Sequence, residues 1–346
     1  MADTMKALIL KHDGLETEKP DSIALTDMSP FVEYGDLPKQ ELQEGQVRIK
    51  VALASVNPSD EMFIQGLYGQ RRIKGNAAGF EGVGEVVESG GGPIADGIRG
   101  LRVAFVAAPN GQGAWSEYSI SDAATCIPLI DGVRDEDGAA MIVNPLTALA
   151  MFDIVKEEGE KAFIVSAGAS QLCKLMIAEA KEAGYRPIAL VRRDEQIEPL
   201  IALGAAHVLN TESSSFDADF RAVAKAEKPR IFLDAVANST SALVFNGMGR
   251  GARWVIYGKL DEELPTILEP GQLIFMSKQI EGFWLTKWMM EKPLPEKMTA
   301  IQAAQKNFAS GAWQTDVTAI VPLSEAMSRL PEELAKPNGK VFIKPD

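Results

Sequence analysis

Cysteine is scarce: Cys126 and Cys173 are the only two in 346 residues. Two thiols cannot by themselves form a four-ligand zinc site, and with no disulfide scaffold they suggest a reducing compartment. His12 and His207 have no partner pattern and read as structural. Positive charge is also short, with 35 Lys and Arg against 48 Asp and Glu and a formal charge of −13. Nucleic acid needs clustered cations against its phosphates, and no basic patch is visible. No stretch approaches the ~20 apolar residues that span a bilayer. The opening MADTMKALIL has too short an apolar run and too little positive charge for a signal peptide. A cytoplasmic protein, away from nucleic acid and membrane, is expected. Internal repeats and low-complexity segments are lacking too.

What is present suits a folded protein of two domains: 346 residues, 46% hydrophobic and 24% charged. The most informative stretch runs from Lys161 to Asp194. An apolar run, Ala162 to Val165, leads into the small residues Ser166, Ala167, Gly168, Ala169 and Ser170. Leu172, Leu175, Met176 and Ala180 then recur at helical spacing, Gly184 stops the helix, and Ile188 to Val191 is a second apolar run. Strand, tight turn, helix and strand make one βαβ unit. Its turn offers backbone N–H groups at a helix N-terminus, where an anionic phosphate is favoured.

Gly168 is the lone glycine where a dinucleotide fingerprint has three, so an ordinary crossover competes with nucleotide binding. About 20 residues past such a turn, an acidic side chain selects a ribose 2′-OH and Arg accommodates a 2′-phosphate. Arg192 and Arg193 stand there, 24 and 25 residues after Gly168, and favour NADP(H). Asp194 keeps NAD open, and two solvated arginines at a strand end are the plain alternative.

Before this unit the chain reads as β-rich. Strands are expected at Met5 to Leu10, Gln46 to Ser55, Glu85 to Glu88, Leu101 to Ala107 and Trp115 to Ile120. Residues 11–45 are charged and punctuated by Pro20, Pro30, Gly35 and Pro38, so strands broken by turns are expected between the first two. Val47, Ile49, Val51 and Leu53 alternate with Gln46, Arg48 and Lys50, the pattern of a half-buried strand. Asn57-Pro58-Ser59-Asp60 reads as a turn, its Asx side chains capping it. From Asp135 the period is helical, with Pro145 dividing two helices, the second from Leu146 to Lys156.

After the βαβ unit, helices at Ile197 to Leu203, Phe216 to Ala224 and Ser239 to Met248 alternate with strands at His207 to Leu209, Ile231 to Val236 and Trp254 to Gly258. The fold class is therefore α/β with a doubly wound parallel sheet. A helix from Leu294 to Ala309 follows. The terminal strand Gly339 to Ile343 has no helix partner and is expected to return to the β-rich domain.

NPSDEMFIQGLYG (57–69), GFEGVG (79–84), VNPLTA (143–148), LGAAHV (203–208), RGARWVIYG (250–258) and LIFMSKQIEGFWLTKW (273–288) occur in an order and spacing that resembles the medium-chain dehydrogenase/reductase superfamily. The closer similarity is to the mitochondrial-type trans-2-enoyl thioester reductases. The resemblance implies a groES-like catalytic domain, residues 1–143 completed by 291–346, and a Rossmann domain, 144–290, with the active site in the cleft. It also implies a homodimer through the Rossmann sheet. Zinc-dependent members carry Cys near residues 57–60 and His where Phe80 stands; this chain has neither, and Phe cannot ligate a metal. Relatives carry G-V-G at the helix start, where this chain has Gln171, Leu172 and Cys173.

The implied chemistry is NADPH-dependent reduction of a C=C bond conjugated to a thioester or carbonyl. Tyr68 matches the proposed catalytic tyrosine and would act as donor and general acid; a packing aromatic is its alternative. Gly168, Ala169, Ser170, Gln171 and Leu172 would form the phosphate turn. Asn144 resembles the asparagine that bonds the nicotinamide ribose, or merely precedes Pro145. Tyr257 and Gly258 match a cofactor segment in which Lys259 replaces a second glycine. Phe283, Trp284 and Leu285 resemble the nicotinamide contact and acyl pocket, though a buried interdomain core or a dimer strand would read the same way. Lys340 matches a lysine that approaches the NADP 2′-phosphate, or is a solvated lysine. The expected partner is a small unsaturated acyl thioester, enone or quinone. The alternatives are a quinone oxidoreductase of the same fold, and a binding protein whose altered phosphate turn has lost the cofactor.

Overall fold

The alternating run from Gln46 builds the longest strand of a computed structural model that describes residues 3–16, 24–267, 269–336 and 339–346; the turn expected at Pro20 lies outside these. The chain forms two units, Met1–Val143 with Ile301–Asp346, and Asn144–Ala300.

In the first unit, β1 (Thr4–Leu10) and β2 (Val32–Pro38) pair antiparallel. Then come β3 (Gln46–Val56), α1 (Pro58–Ile64), β4 (Glu81–Ser89), α2 (Pro93–Gly97), β5 (Arg102–Val106), β6 (Tyr118–Asp122), β7 (Ile127–Pro128) and α3 (Asp135–Ala139). The segment expected to be a turn at 57–60 instead opens a helix. Asn57 is its N-cap, Pro58 its first residue, and Asp60 completes a capping box. Gln46 and Arg48, on the supposed solvent face of β3, are buried. Arg48 is covered because Nε bonds Glu88 Oε2 at 2.7 Å and Nη2 bonds the Gln40 carbonyl at 2.8 Å.

Two helices do follow Asp135, α3 and α4 (Val143–Glu158), but the break between them falls at 140–142, ahead of Pro145. Pro145 occupies the first turn of α4, where its missing N–H would have no intrahelical partner anyway.

The second unit continues with β8 (Ala162–Val165), α5 (Gln171–Glu182), β9 (Arg186–Val191), α6 (Ile197–Leu203), β10 (His207–Asn210), α7 (Phe216–Glu227), β11 (Ile231–Asp234), α8 (Ser239–Gly247), β12 (Arg253–Ile256), α9 (Gly271–Phe275), β13 (Gln279–Gly282) and α10 (Leu285–Glu291). Its six strands are all parallel, in the order β10-β9-β8-β11-β12-β13. Numbered within the unit that is 3-2-1-4-5-6, the doubly wound Rossmann arrangement. The inner strands read as continuous apolar runs because helices cover both faces. Strand β13 was not expected from the sequence; QIEG carries little apolar signal, and the strand is mostly exposed at the sheet edge.

After α11 (Leu294–Ala309), β14 (Val317–Pro322), α12 (Ala326–Leu334) and β15 (Lys340–Lys344) complete the first unit. β15 pairs antiparallel with β3, so the last strand does return to the β-rich sheet. That sheet has seven strands, ordered β14-β15-β3-β4-β5-β7 with β6 also paired to β3.

Candidate cofactor and catalytic site

Parallel strands deliver all their C-terminal ends to one edge of the sheet. The order in which strands are added reverses between β8 and β11, and at such a switch point ligands bind outside the strand ends. Ser166 to Ser170 follow β8 there. Gly168 N–H donates to the Leu190 carbonyl at 2.8 Å, tying the turn to β9. A Cβ on Gly168 would lie 2.8 Å from Ala189 Cβ and 3.2 Å from Leu190 O, so glycine is required by close approach rather than by a positive φ. Ala167 beside it has φ 48°, a left-handed conformation costing about 1–2 kcal/mol for a residue with a Cβ. Ser170 is the N-cap of α5, its Oγ accepting Cys173 N–H at 3.3 Å, and Gln171 and Leu172 begin the helix.

Across the switch point, Asp234 is fully buried at the end of β11. Its carboxylate accepts Ser166 Oγ at 2.5 Å, Trp254 Nε1 at 2.8 Å, and the N–H groups of Val236 at 2.9 Å and Ala237 at 3.1 Å. Four donors compensate a charge taken out of water. Ser166 Oγ in turn accepts Ala235 N–H at 2.8 Å. Ala237 is also left-handed, φ 55°. Two left-handed alanines, one after β8 and one after β11, thus flank the switch point. The sequence reading missed Ser166 and Asp234; an acid closing the buried run IFLD was the signal.

The other candidates of this unit follow its remaining strands at the same edge. Arg192 and Arg193 follow β9; Arg192 is exposed, and Arg193 Nε lies 3.2 Å from Glu195 Oε1. Tyr257 N–H bonds the Asp234 carbonyl at 2.9 Å, and a Cβ on Gly258 would come 3.1 Å from Ala235 O. The Tyr257 ring is partly exposed but its hydroxyl is buried, which pushes its pKa well above the ordinary value. Lys259 donates to the Asp261 and Glu263 carbonyls. Phe283 N–H bonds the Ile256 carbonyl at 2.9 Å, Trp284 is 40% exposed, and Leu285 starts α10. Asn144, half-buried in the first turn of α4, is not on a strand end.

Two candidates lie in the first unit. Tyr68 is half-buried in the loop after α1, its ring centroid 5.3 Å from that of Phe80, which is 4.8 Å from Phe63. Lys340 is not the solvated lysine of the alternative reading: it is 5% exposed, and its ammonium donates to Asn57 Oδ1 inside the unit. Strand β15 aims it inward, and burial lowers its pKa.

His12 Nε2 contacts the Pro30 carbonyl at 2.8 Å and His207 Nε2 contacts Glu227 Oε1 at 2.7 Å. Both cysteines are free. No group of three or more His, Cys, Asp or Glu among the described residues could hold a metal ion, and no described helix is long and apolar enough to cross a membrane. One basic patch, invisible in the sequence, does exist: Arg221, Lys225, Lys228, Arg230 and Arg250 line a cavity of about 380 Å³. Arg221 lies 2.9 Å from Asp217, and Arg230 lies 3.6 Å from Glu158.

The alcohol dehydrogenase GroES-like domain family matches residues 43–131, and the zinc-binding dehydrogenase family matches residues 172–302. The whole chain is 56% identical to a proposed NADPH:quinone reductase from Mesorhizobium loti whose crystal structure superposes with a TM-score of 0.95, covering 99% of that chain. It is 26% identical to the mitochondrial enoyl-[acyl-carrier-protein] reductase of Arabidopsis thaliana, covering 100% of this chain and 88% of that protein. Identity to the Homo sapiens enzyme of the same name is also 26%, over 94% and 84% of the two chains. A GroES-like sheet unit joined to a Rossmann sheet defines a dehydrogenase/reductase fold. The chain belongs to the medium-chain dehydrogenase/reductase superfamily.

Proposed function

We propose that this protein is a zinc-independent, NADPH-dependent reductase of the C=C bond in an α,β-unsaturated acyl thioester or carbonyl. The observation that carries the reading is the 3-2-1-4-5-6 sheet whose switch point holds the Gly168 turn, with two arginines following the neighbouring strand. The residues present fit a dinucleotide. The close approach at Gly168 seats the turn on β9, the first turn of α5 supplies backbone donors for a pyrophosphate, and Arg192 and Arg193 supply cations for a 2′-phosphate. NADPH, when bound, supplies the hydride for the β-carbon.

The chain's own residues do the rest. Asn144, Tyr257, Gly258 and Phe283 to Leu285 are assigned to holding the nicotinamide half, with Ala169, Ser170, Gln171 and Leu172 at the phosphates. Gln171 is the first residue of α5, beside the Gly168 turn. Tyr68 is assigned as hydrogen-bond donor to the carbonyl oxygen, where negative charge grows, and as proton source for the α-carbon. The aromatic contact with Phe80, which stands where a metal ligand would otherwise be, orients its ring. Full-length similarity to enoyl reductases supports the substrate class.

A second reading is favoured by the 56% identity to a proposed NADPH:quinone reductase: hydride transfer to a quinone, which requires no dedicated proton donor. We also assign the protein to the cytoplasm as a homodimer. The dimer reading rests on the exposed edge strand β13 and on Phe275 and Met290, 74% and 78% exposed.

The test is a fluorescence titration with NADPH and NADH, followed by a short trans-2-enoyl-CoA or a benzoquinone. NADPH binding with turnover of the enoyl thioester supports the first reading, and turnover of the quinone alone replaces it with the second. Failure of either nucleotide to bind at about millimolar concentration, the −4 kcal/mol level, ends both.

A further inference from the structure

Strand β15 carries one cation into the interior of the first unit. Lys340 is 5% exposed, and around it Asn57, Asp60 and Glu81 are 1%, 0% and 0% exposed. The Lys340 ammonium donates to Asn57 Oδ1. The Asn57 amide then donates to Glu81 Oε1 at 3.0 Å, where Ser55 Oγ also donates at 2.8 Å. The other carboxylate oxygen, Glu81 Oε2, accepts the N–H groups of Ile142 at 3.1 Å and Val143 at 2.8 Å. Asp60 accepts Asn57 N–H at 2.9 Å and Phe80 N–H at 2.8 Å.

A buried ion network of this kind adds little net stability over a well-packed apolar cluster, because each charge must leave water. What apolar side chains cannot do is fix direction. With its oxygen held by Lys340, Asn57 must turn its NH₂ toward Glu81, and Glu81 then holds the last two amides before Asn144. The same asparagine caps α1, whose chain leads to Tyr68.

We propose that Lys340 is a positioning residue for the reductase: its buried ammonium orients Asn57 and Glu81, and through them the start of α1 and the backbone entering α4. Its catalytic consequence rests on the function proposed above. The titratable groups facing it are Asp60 on α1 and Glu81 on β4, with Glu61 adjoining Asp60. The two facing carboxylates raise the lysine's pKa against the effect of burial. Loss of the cation removes the charge that offsets the repulsion between Glu81 and Asp60.

The test compares Lys340→Met, Lys340→Gln, Glu81→Gln and the Lys340→Met/Glu81→Gln double variant with the wild type. Three quantities are read: the ¹³C-carboxyl titration of Asp60, the amide resonances of Ile142 and Val143, and kcat and KM for NADPH-dependent reduction. In Lys340→Met the Asp60 midpoint should rise, the Ile142 and Val143 signals should move, and kcat should fall roughly 10–100-fold, the scale of a small misplacement, with KM changing less. The double variant, with both charges gone, should regain the thermal stability lost by either single one. Lys340→Gln keeps a donor without the charge; it should retain the amide positions yet shift the Asp60 titration, and it serves if Lys340→Met does not fold. Unchanged Asp60 titration and unchanged Ile142 and Val143 signals would overturn the proposal, as would a loss of kcat that only follows the fraction unfolded. Wild-type protein that turns over no substrate defeats the functional reading, while the resonance measurements still decide the network.

Discussion

The Cys173 thiol and the Tyr257 hydroxyl lie 3.6 Å apart behind the first turn of α5, and Cys173 Sγ also reaches the Ser166 carbonyl at 3.3 Å. One contact thus joins the turn after β8, the start of α5 and the end of β12. Burial raises the pKa of both groups. Cys126 is likewise pushed up to about 11 by burial.

Raised thiol pKa values mean little thiolate, and thiolate is the reactive form. Native protein with Ellman's reagent at about pH 8 should therefore release less than about 0.1 equivalents in the first minutes. Unfolding in guanidinium should expose both of the chain's two thiols. Fast native labelling of Cys173 would mean that the turn opens readily.

Tyr68→Phe keeps the ring beside Phe80 and removes only the hydroxyl. If Tyr68 is the proton donor, kcat on a trans-2-enoyl thioester should drop about 10²–10⁴-fold, the usual contribution of a general acid. Quinone reduction should change by less than about twofold, since that reaction asks nothing of Tyr68. Equal activity of variant and wild type on the enoyl thioester refutes the assignment.

Arg192→Gln/Arg193→Gln should raise KM for NADPH by about 10²–10⁴-fold and leave KM for NADH within about twofold, since charge-assisted contacts each contribute about 1.5–3 kcal/mol. A parallel rise for both nucleotides would place the arginines outside the 2′-phosphate contact.

Gly168→Ala introduces a Cβ 2.8 Å from Ala189 Cβ, closer than packed atoms tolerate. The strand must shift, costing about 1–3 kcal/mol. Urea unfolding should report that loss, together with weaker NADPH binding. Undiminished stability would show that β9 yields without strain.

Burial raises Asp60 and Glu61 to about 7. Between their ordinary values, 3.8 and 4.5, and about 7, the native state holds more protons than the unfolded one. Their contribution to stability is thus complete at low pH and is lost as pH rises through about 7. Glu227 runs the other way: Arg186 and His207 hold it at about 2, so its contribution is present above 4.5 and lost only toward pH 2. Lys278, lowered to about 8 by burial, adds stability with rising pH only above that value. The urea midpoint should therefore be higher at about pH 5.5 than at about pH 7.5, and Asp60→Asn should shrink the difference. A higher midpoint at the upper pH would contradict the burial of these carboxyls.

The second unit was legible in the sequence because its signals are local. Ala162 to Val165, Gly184, Ile197 to Leu203 and Gly204 each carry their own strand run, stop or period, and the elements form there. Errors fell where distant residues decide. Asn57 to Asp60 looks like a turn until Phe80 N–H and the helix end together claim the Asp60 carboxylate. Gln46 and Arg48 read as solvent-facing because alternation cannot see Gln43 and Gln40, which bond them.

By itself the sequence determined the class of fold, since hydrophobic period and glycine placement act over a few residues and survive without neighbours. It also supplied the candidates proposed for a nucleotide: Gly168, Arg192 and Arg193. Only the tertiary structure decided how they are held. Lys340 and Asn57 are 283 positions apart, as the contact between them records. Ser166 meets Asp234 across 68. A buried charge takes its partner from whatever the topology brings beside it, and no local pattern encodes that choice.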